Sequence, residues 1–311
     1  MATIVISEFM ADDSVDALAG LHTVVYDPDL VDDRPRLLQL VADADGLIVR
    51  NRTQVDAPLL DAAPQLQVVG RLGVGLDNID LDACSARSVA VRPATGANAD
   101  SVAEYVIAAA LSLVRGVFLS TDAVVAGEWP RVELTGLEIQ GRTMGLIGFG
   151  DIAQRVAARA RALGMSVIAH DPFLPESDAA WSSARSETFE GVLTAADVVS
   201  LHVPLTDDTR GLLDRAALDT MPDTAVVVNT SRGGVVDEEA LIESLRSGTI
   251  RGAALDVFTT EPVDAASGER FAGVPNLLLT PHIAGITEES HERVSSMVAS
   301  AVADVLAEEI R

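Results

Sequence analysis

Gly148-Phe149-Gly150-Asp151-Ile152-Ala153 follows the apolar run Thr143–Ile147 and opens the amphipathic stretch Ile152–Leu163. At such a strand-to-helix junction Gly148 allows the tight turn, Gly150 lets the backbone approach a pyrophosphate, and Ala153 lets the helix pack closely. The helix start offers free N–H groups and a positive dipole end to phosphates. Asp171 closes the next apolar run, about twenty residues on, where a carboxylate accepts from ribose hydroxyls and repels a 2′-phosphate. These residues predict NAD rather than NADP. Asp151 puts negative charge near the phosphates and is read as pointing outward, serving the helix dipole.

Three more polar residues follow apolar runs: Arg232 after Asn229-Thr230-Ser231, Glu261 after Phe258-Thr259-Thr260, and His282 after Thr280-Pro281. Loops at the carboxyl ends of a doubly wound sheet converge. A guanidinium, a carboxylate and an imidazole can therefore meet beside a nicotinamide ring. His202-Val203-Pro204 also ends a run and is read as lining the adenine side. His22 and His291 are read as surface residues.

The composition removes other chemistries. The chain has 311 residues, 48% of them hydrophobic, and a formal charge of −25. All 22 basic residues are Arg, which excludes a Schiff-base lysine and a lysine-bearing P-loop. Cys84 is the single cysteine, so neither an intrachain disulfide nor a cysteine zinc cluster can form, and no metal site is expected. The acid excess disfavours nucleic acid and anionic lipid. Met1 to Met10 does not read as a secretory signal, and no apolar stretch reaches the roughly eighteen residues of a membrane span. A soluble protein of a reducing compartment, the cytoplasm, is expected.

The elements that must position these residues form two series. Thr3–Ser7, Val24–Tyr26, Leu47–Arg50, Gln67–Val69 and Val89–Val91 read as strands between helical stretches. A helical pattern over Asn98–Ser120 and a turn-rich connector, Gly127–Gly141, follow. The second series is Thr143–Ile147, Ser166–His170, Val198–His202, Ala225–Asn229, Gly252–Leu255 and Asn276–Thr280, before a last helix over Thr287–Glu309. Near-continuous apolar strands alternating with helices predict parallel sheets covered on both faces. The fold class is α/β with two doubly wound parallel-sheet domains, and the boundary falls near Ala97.

Taken with Gly73-Val74-Gly75-Leu76-Asp77-Asn78-Ile79-Asp80, Ser101-Val102-Ala103-Glu104, Asn229–Asp237 and Pro281–Gly285, the chain resembles the D-isomer-specific 2-hydroxyacid dehydrogenase family, above all its phosphoglycerate-dehydrogenase-like branch. The resemblance implies a Rossmann NAD domain, 98–285, inserted into a flavodoxin-like substrate domain, 1–97 plus 286–311. It implies catalysis by Arg232, Glu261 and His282. His282 would be the base that takes the hydroxyl proton as hydride leaves carbon 2. Glu261 would fix its other ring nitrogen, and Arg232 would hold the substrate carboxylate. Coenzyme contacts are implied from Thr230, Ser231 and Gly285 and from Asp256, which resembles the residue facing the nicotinamide amide. A homodimer through the region after Asn98 and around Val117, Phe118 and Trp129 is also implied.

The substrate end is read from Arg50-Asn51-Arg52-Thr53. Two arginines within three residues of an acidic chain suit a second anionic group, phosphate or sulfonate. Alternation along an extended loop favours Arg50 over Arg52, and Arg71 adds charge nearby. Backbone N–H groups of Gly73, Val74 and Gly75 would complete the carboxylate cradle. The resemblance suggests 3-phosphoglycerate, 3-sulfolactate or glycerate-type acids, and the stretch Pro275–Ser290 resembles the sulfolactate dehydrogenases most. The sequence stops at the last helix, so the regulatory module of many phosphoglycerate dehydrogenases is not expected. Two alternatives remain, a glyoxylate/hydroxypyruvate reductase and a non-enzymatic NAD-sensing protein. Formate dehydrogenases of the same fold carry Gln where this chain has Glu261.

Overall fold

In a computed structural model covering the whole chain, residues 1–118 and 120–308 are described. Leu119, inside the expected helix over Asn98–Ser120, and Glu309, Ile310 and Arg311, at the end of the last segment, lie outside the described residues. The chain divides into two compact units, Met1–Asn98 with Ile286–Arg311, and Ala99–Gly285.

The first unit holds five strands: β1 (Thr3–Ile6), β2 (Thr23–Tyr26), β3 (Gly46–Val49), β4 (Val68–Arg71) and β5 (Ala90–Pro93). They lie in the order β2-β1-β3-β4-β5, and every pair is parallel. β3 is buried along its whole length, as a central strand with both faces covered requires. The chain returns to this unit as the helix Glu288–Glu308, whose Val294, Val298, Val302 and Leu306 are buried with Ile4, Ile6 and Ile48. Gly70 makes that docking feasible, because a Cβ there would lie 2.6 Å from Val298 and 2.7 Å from Val302. Cys84 is buried among the aliphatic side chains on the other side of the sheet, and burial pushes its thiol pKa up.

The second unit holds β6 (Thr143–Ile147), β7 (Ser166–His170), β8 (Arg185–Ser186), β9 (Val198–Leu201), β10 (Val226–Asn229), β11 (Gly252–Leu255) and β12 (Leu277–Leu279). The order is β12-β11-β10-β9-β6-β7-β8, again parallel throughout. The sequence shows no sign of β8, since two exposed polar residues carry no hydrophobic signal. The expected helix after Asn98 is shorter than its apolar pattern, running Ala99–Arg115 and stopping before Gly116. Its buried face, including Val106, Ala110 and Leu113, packs with Ala153, Val156 and Ala160 of the helix Asp151–Ala162. No helix among the described residues is long and apolar enough to cross a membrane.

Candidate functional site

Gly148 sits one residue beyond β6 at φ +85°, and a Cβ there would come within 2.6 Å of the His202 carbonyl. The glycine thus permits both the turn and the closeness of two strand ends. Gly150 is the N-cap of the helix Asp151–Ala162. No side chain caps that helix, and the space a Gly150 Cβ would enter is open. Its first N–H groups are therefore not satisfied by a side-chain cap and could meet a phosphate. Ile152, the second residue of the helix, is half-buried against the core. Asp151 pairs with Arg155 at 3.1 Å, and Arg155 in turn reaches Asp100 at 2.7 Å. Its charge is thus engaged on the helix surface.

Asp171 follows β7. Its two oxygens accept separately from Phe149 N–H (2.9 Å) and Phe173 N–H (3.0 Å), which pins the carboxylate beside the glycine turn. Val203 and Pro204 continue from β9 beyond His202. His202 Nε2 and Thr230 Oγ1, after the neighbouring strands β9 and β10, are shut off from solvent without a hydrogen-bond partner. Burial pushes the His202 imidazole down to about 4, so it stands neutral at pH 7. An uncapped helix start, a fixed carboxylate and two orphaned polar atoms at the carboxyl ends of strands fit a dinucleotide.

The second cluster is built by β10, β11 and β12. His282 Nδ1 lies 2.7 Å from Glu261 Oε2, while Glu261 Oε1 accepts from Phe258 N–H at 2.9 Å. Burial opposes ionisation of Glu261. The imidazole bond, the Phe258 N–H and the charges of His282 and Arg232 outweigh it and hold the carboxyl below its ordinary pKa. Arg232 Nη1 donates to Ser231 O at 2.6 Å. Asn229 shapes that turn, accepting from Ser231 N–H and Oγ–H and donating to Arg232 O at 3.0 Å.

His282 has φ +54°, a costly conformation for a side chain with a Cβ, and one that persists only where surroundings impose it. Asp256, only 1% exposed, imposes it. Its carboxylate accepts from Thr280 Oγ1 (2.6 Å), Ile283 N–H and Ala284 N–H (both 2.8 Å), and its carbonyl accepts from His282 N–H. Asp256, read above as facing the coenzyme amide, thus anchors the His282 loop, and Gly285 ends that loop. Tyr105 O–H meets Thr280 Oγ1 at 2.6 Å.

Sequence reasoning misses Glu238, which is 6% exposed. Its Oε1 accepts from Thr259 N–H (2.7 Å) and Oγ1 (2.8 Å), and its Oε2 pairs with Arg270. It thereby holds the loop that carries Glu261. Asn229 is missed as well, although a buried amide closing an apolar strand is a readable signal.

In the first unit, buried Glu8 accepts from the N–H groups of Arg50 (2.8 Å), Arg52 (3.2 Å) and Thr53 (2.9 Å). Asn78 Nδ2 donates to Arg50 O and Thr53 O. Arg50 Nη2 meets His291 Nε2 at 3.0 Å. Arg52 turns to an exposed ion pair with Asp32, and Asn51 is exposed. Arg71 Nη1 donates to Leu72 O and fills the space a Gly73 Cβ would need, at 1.5 Å. Val74 is exposed and Gly75 half-buried. His22 is buried rather than at the surface as expected, while His291 is partly exposed, its ring 5.2 Å from that of Phe9. Among the described residues, no group of three or more His, Cys, Asp or Glu is placed to hold a metal ion.

Residues 107–284 match the NAD binding domain of the D-isomer specific 2-hydroxyacid dehydrogenases. The chain belongs to this family. It is 54% identical over 296 residues to the (S)-sulfolactate dehydrogenase of Chromohalobacter salexigens, covering 95% of each chain. It is 40% identical to the D-3-phosphoglycerate dehydrogenase of Mycobacterium leprae, covering 99% of this chain but only 58% of that longer protein. Among solved structures, the TT0316 protein of Thermus thermophilus matches with a TM-score of 0.90 at 34% identity, covering 98% of this chain and 97% of the other. The protein is thus an NAD-dependent oxidoreductase of 2-hydroxy acids.

Proposed function

We propose that His282, Glu261 and Arg232 are the catalytic residues, and that the substrate is a 2-hydroxy acid whose tail carries a second anion, best a sulfonate. The observation that carries the first part is the 2.7 Å contact between His282 Nδ1 and Glu261 Oε2. It leaves His282 Nε2 as the ring nitrogen for a substrate hydroxyl. His282 takes that proton in oxidation and returns it in reduction. Glu261, its carboxyl held below the ordinary pKa, faces the imidazole that carries the proton in between. Arg232 holds the substrate carboxylate with its fork of donors. Bound NAD supplies the hydride acceptor. Gly148, Gly150, Asp151, Ile152, Asp171, His202, Val203, Pro204, Thr230, Ser231, Asp256 and Gly285 line its place.

The unit containing Arg50 is the substrate unit in this reading, with Arg50 holding the tail anion and the Gly73–Gly75 backbone cradling the carboxylate. The likeness to a sulfolactate dehydrogenase supports the sulfonate. We further read the enzyme as a cytoplasmic homodimer. Exposed Phe118, Val125, Trp129 and Val132 support a second copy as their cover, and the lone buried Cys84 suits a reducing compartment.

The test is NADH oxidation with 3-sulfopyruvate, phosphohydroxypyruvate, hydroxypyruvate and pyruvate. The expected order of kcat/KM places 3-sulfopyruvate first and pyruvate last. A preference for hydroxypyruvate over both charged-tail acids would overturn the tail assignment.

A further inference from the structure

His291 lies outside every role given so far, yet its Nε2 is 3.0 Å from the terminal nitrogen of Arg50. The Arg50 backbone is already fixed, its N–H by Glu8 and its carbonyl by Asn78. What remains free to move is the side chain, and His291 is the side chain it meets. A guanidinium donates only, so the facing imidazole nitrogen must accept, and its proton must sit on Nδ1. The Phe9 ring lies 5.2 Å from the imidazole, tilted by 42°. Glu8 spends its hydrogen bonds on three backbone N–H groups, and its charge acts on Arg50 only through space, against the larger effect of burial. The contrast lies two residues away, where Arg52 donates to the Asp32 carboxylate. A carboxylate orients a guanidinium but cancels its charge and competes with an incoming anion. A neutral imidazole orients it and leaves the charge to be used.

We infer that His291 is a specificity-determining positioning residue, a neutral acceptor that aims the Arg50 guanidinium at the anionic tail of the substrate without neutralising it. The inference rests on the reading of Arg50 above. Burial and then the Arg50 charge hold the imidazole pKa below its ordinary value, consistent with an accepting ring at neutral pH.

The experiment compares 3-sulfopyruvate with pyruvate, which lacks the charged tail, across H291E, H291Q and R50A. His291→Glu should raise the KM for 3-sulfopyruvate about 10-fold or more. His291→Gln, which keeps a neutral acceptor, should stay within about threefold of the parent. Pyruvate KM and kcat should hardly move in either. Equal effects of the two substitutions, or equal effects on the two acids, would overturn the inference. If Arg50→Ala itself fails to discriminate between the acids, the tail assignment falls and takes this inference with it. If Arg50→Ala discriminates and His291→Glu does not, only the role of His291 is lost. Imidazole 15N NMR at pH 7.5 decides independently of which acids are turned over. The His291 Nε2 resonance should be that of an unprotonated acceptor and should move in Arg50→Ala, whereas a protonated Nε2 would refute the pairing.

Discussion

Each unit commits a buried glutamate to a loop, and the two loops are finished differently. In the first unit Glu8 gathers three N–H groups of the segment Arg50–Thr53. In the second, Glu238 gathers Thr259 N–H and Oγ1 while pairing with Arg270. The loop held by Glu8 presents the Arg50 guanidinium against the His291 imidazole rather than against a carboxylate. The loop held by Glu238 presents the Glu261 carboxylate against the His282 imidazole, a contact that helps hold the carboxyl below its ordinary pKa. In the proposed reading the same backbone clamp would serve recognition in one unit and proton transfer in the other, and the difference lies in one partner side chain.

The comparison breaks most visibly at His282. His282→Ala should lower kcat by about 100- to 10,000-fold while NADH affinity, followed by fluorescence titration, stays within about threefold. A comparable fall in NADH affinity would make His282 a coenzyme contact instead. Coenzyme choice comes next. Asp171→Ser removes the fixed carboxylate and should raise kcat/KM for NADPH relative to NADH by about 10-fold or more, and an unchanged ratio would remove Asp171 from the ribose contact.

The clamps themselves give a smaller, sharper test. Glu8→Ala leaves three backbone donors without their carboxylate and should cost about 2–3 kcal/mol in urea unfolding. Its kinetic effect should fall on KM for charged-tail acids. Glu238→Ala should instead depress kcat, because the loop carrying Glu261 is freed. Interchanged kinetic signatures would erase the division of labour between the units.

The smallest effect is on stability against pH. Glu261 has a depressed pKa in the folded chain. The stability it contributes is therefore fully present above its unfolded value, about 4.3, and is lost as pH falls through the lower folded value. The stability difference between the parent and Glu261→Gln should not shrink from pH 8 to about 5 and should shrink below about 4. A difference that already shrinks between pH 7 and 5 would contradict an ionised, paired Glu261.

Much of this was legible because the fold rests on local patterns. The runs at Gly46–Val49 and Val226–Asn229 are apolar enough to declare buried parallel strands, and the glycine turn after β6 declares its own backbone. Arg232, Glu261 and His282 were visible because strand ends place them. The clamps were not. Glu8 and Arg50 are 42 residues apart, and only the pairing of β1 with β3 brings them together. A lone glutamate in a chain with 47 acidic residues gives no sign of burial. The same holds for His291, whose meaning depends on how the helix Glu288–Glu308 returns to the first sheet. The split between Arg50 and Arg52 was readable from alternation, whereas the partners that realise it were not.

The scarcity of sulfur and indole gives the molecule separate reporters without any engineering. Cys84, the only thiol, belongs to the first unit, and both tryptophans, Trp129 and Trp181, belong to the second. Modification of that thiol by a disulfide reagent times the opening of one half alone, while intrinsic emission follows the other. Trp181, stacked on Phe149 within the glycine turn, should also change brightness as coenzyme arrives.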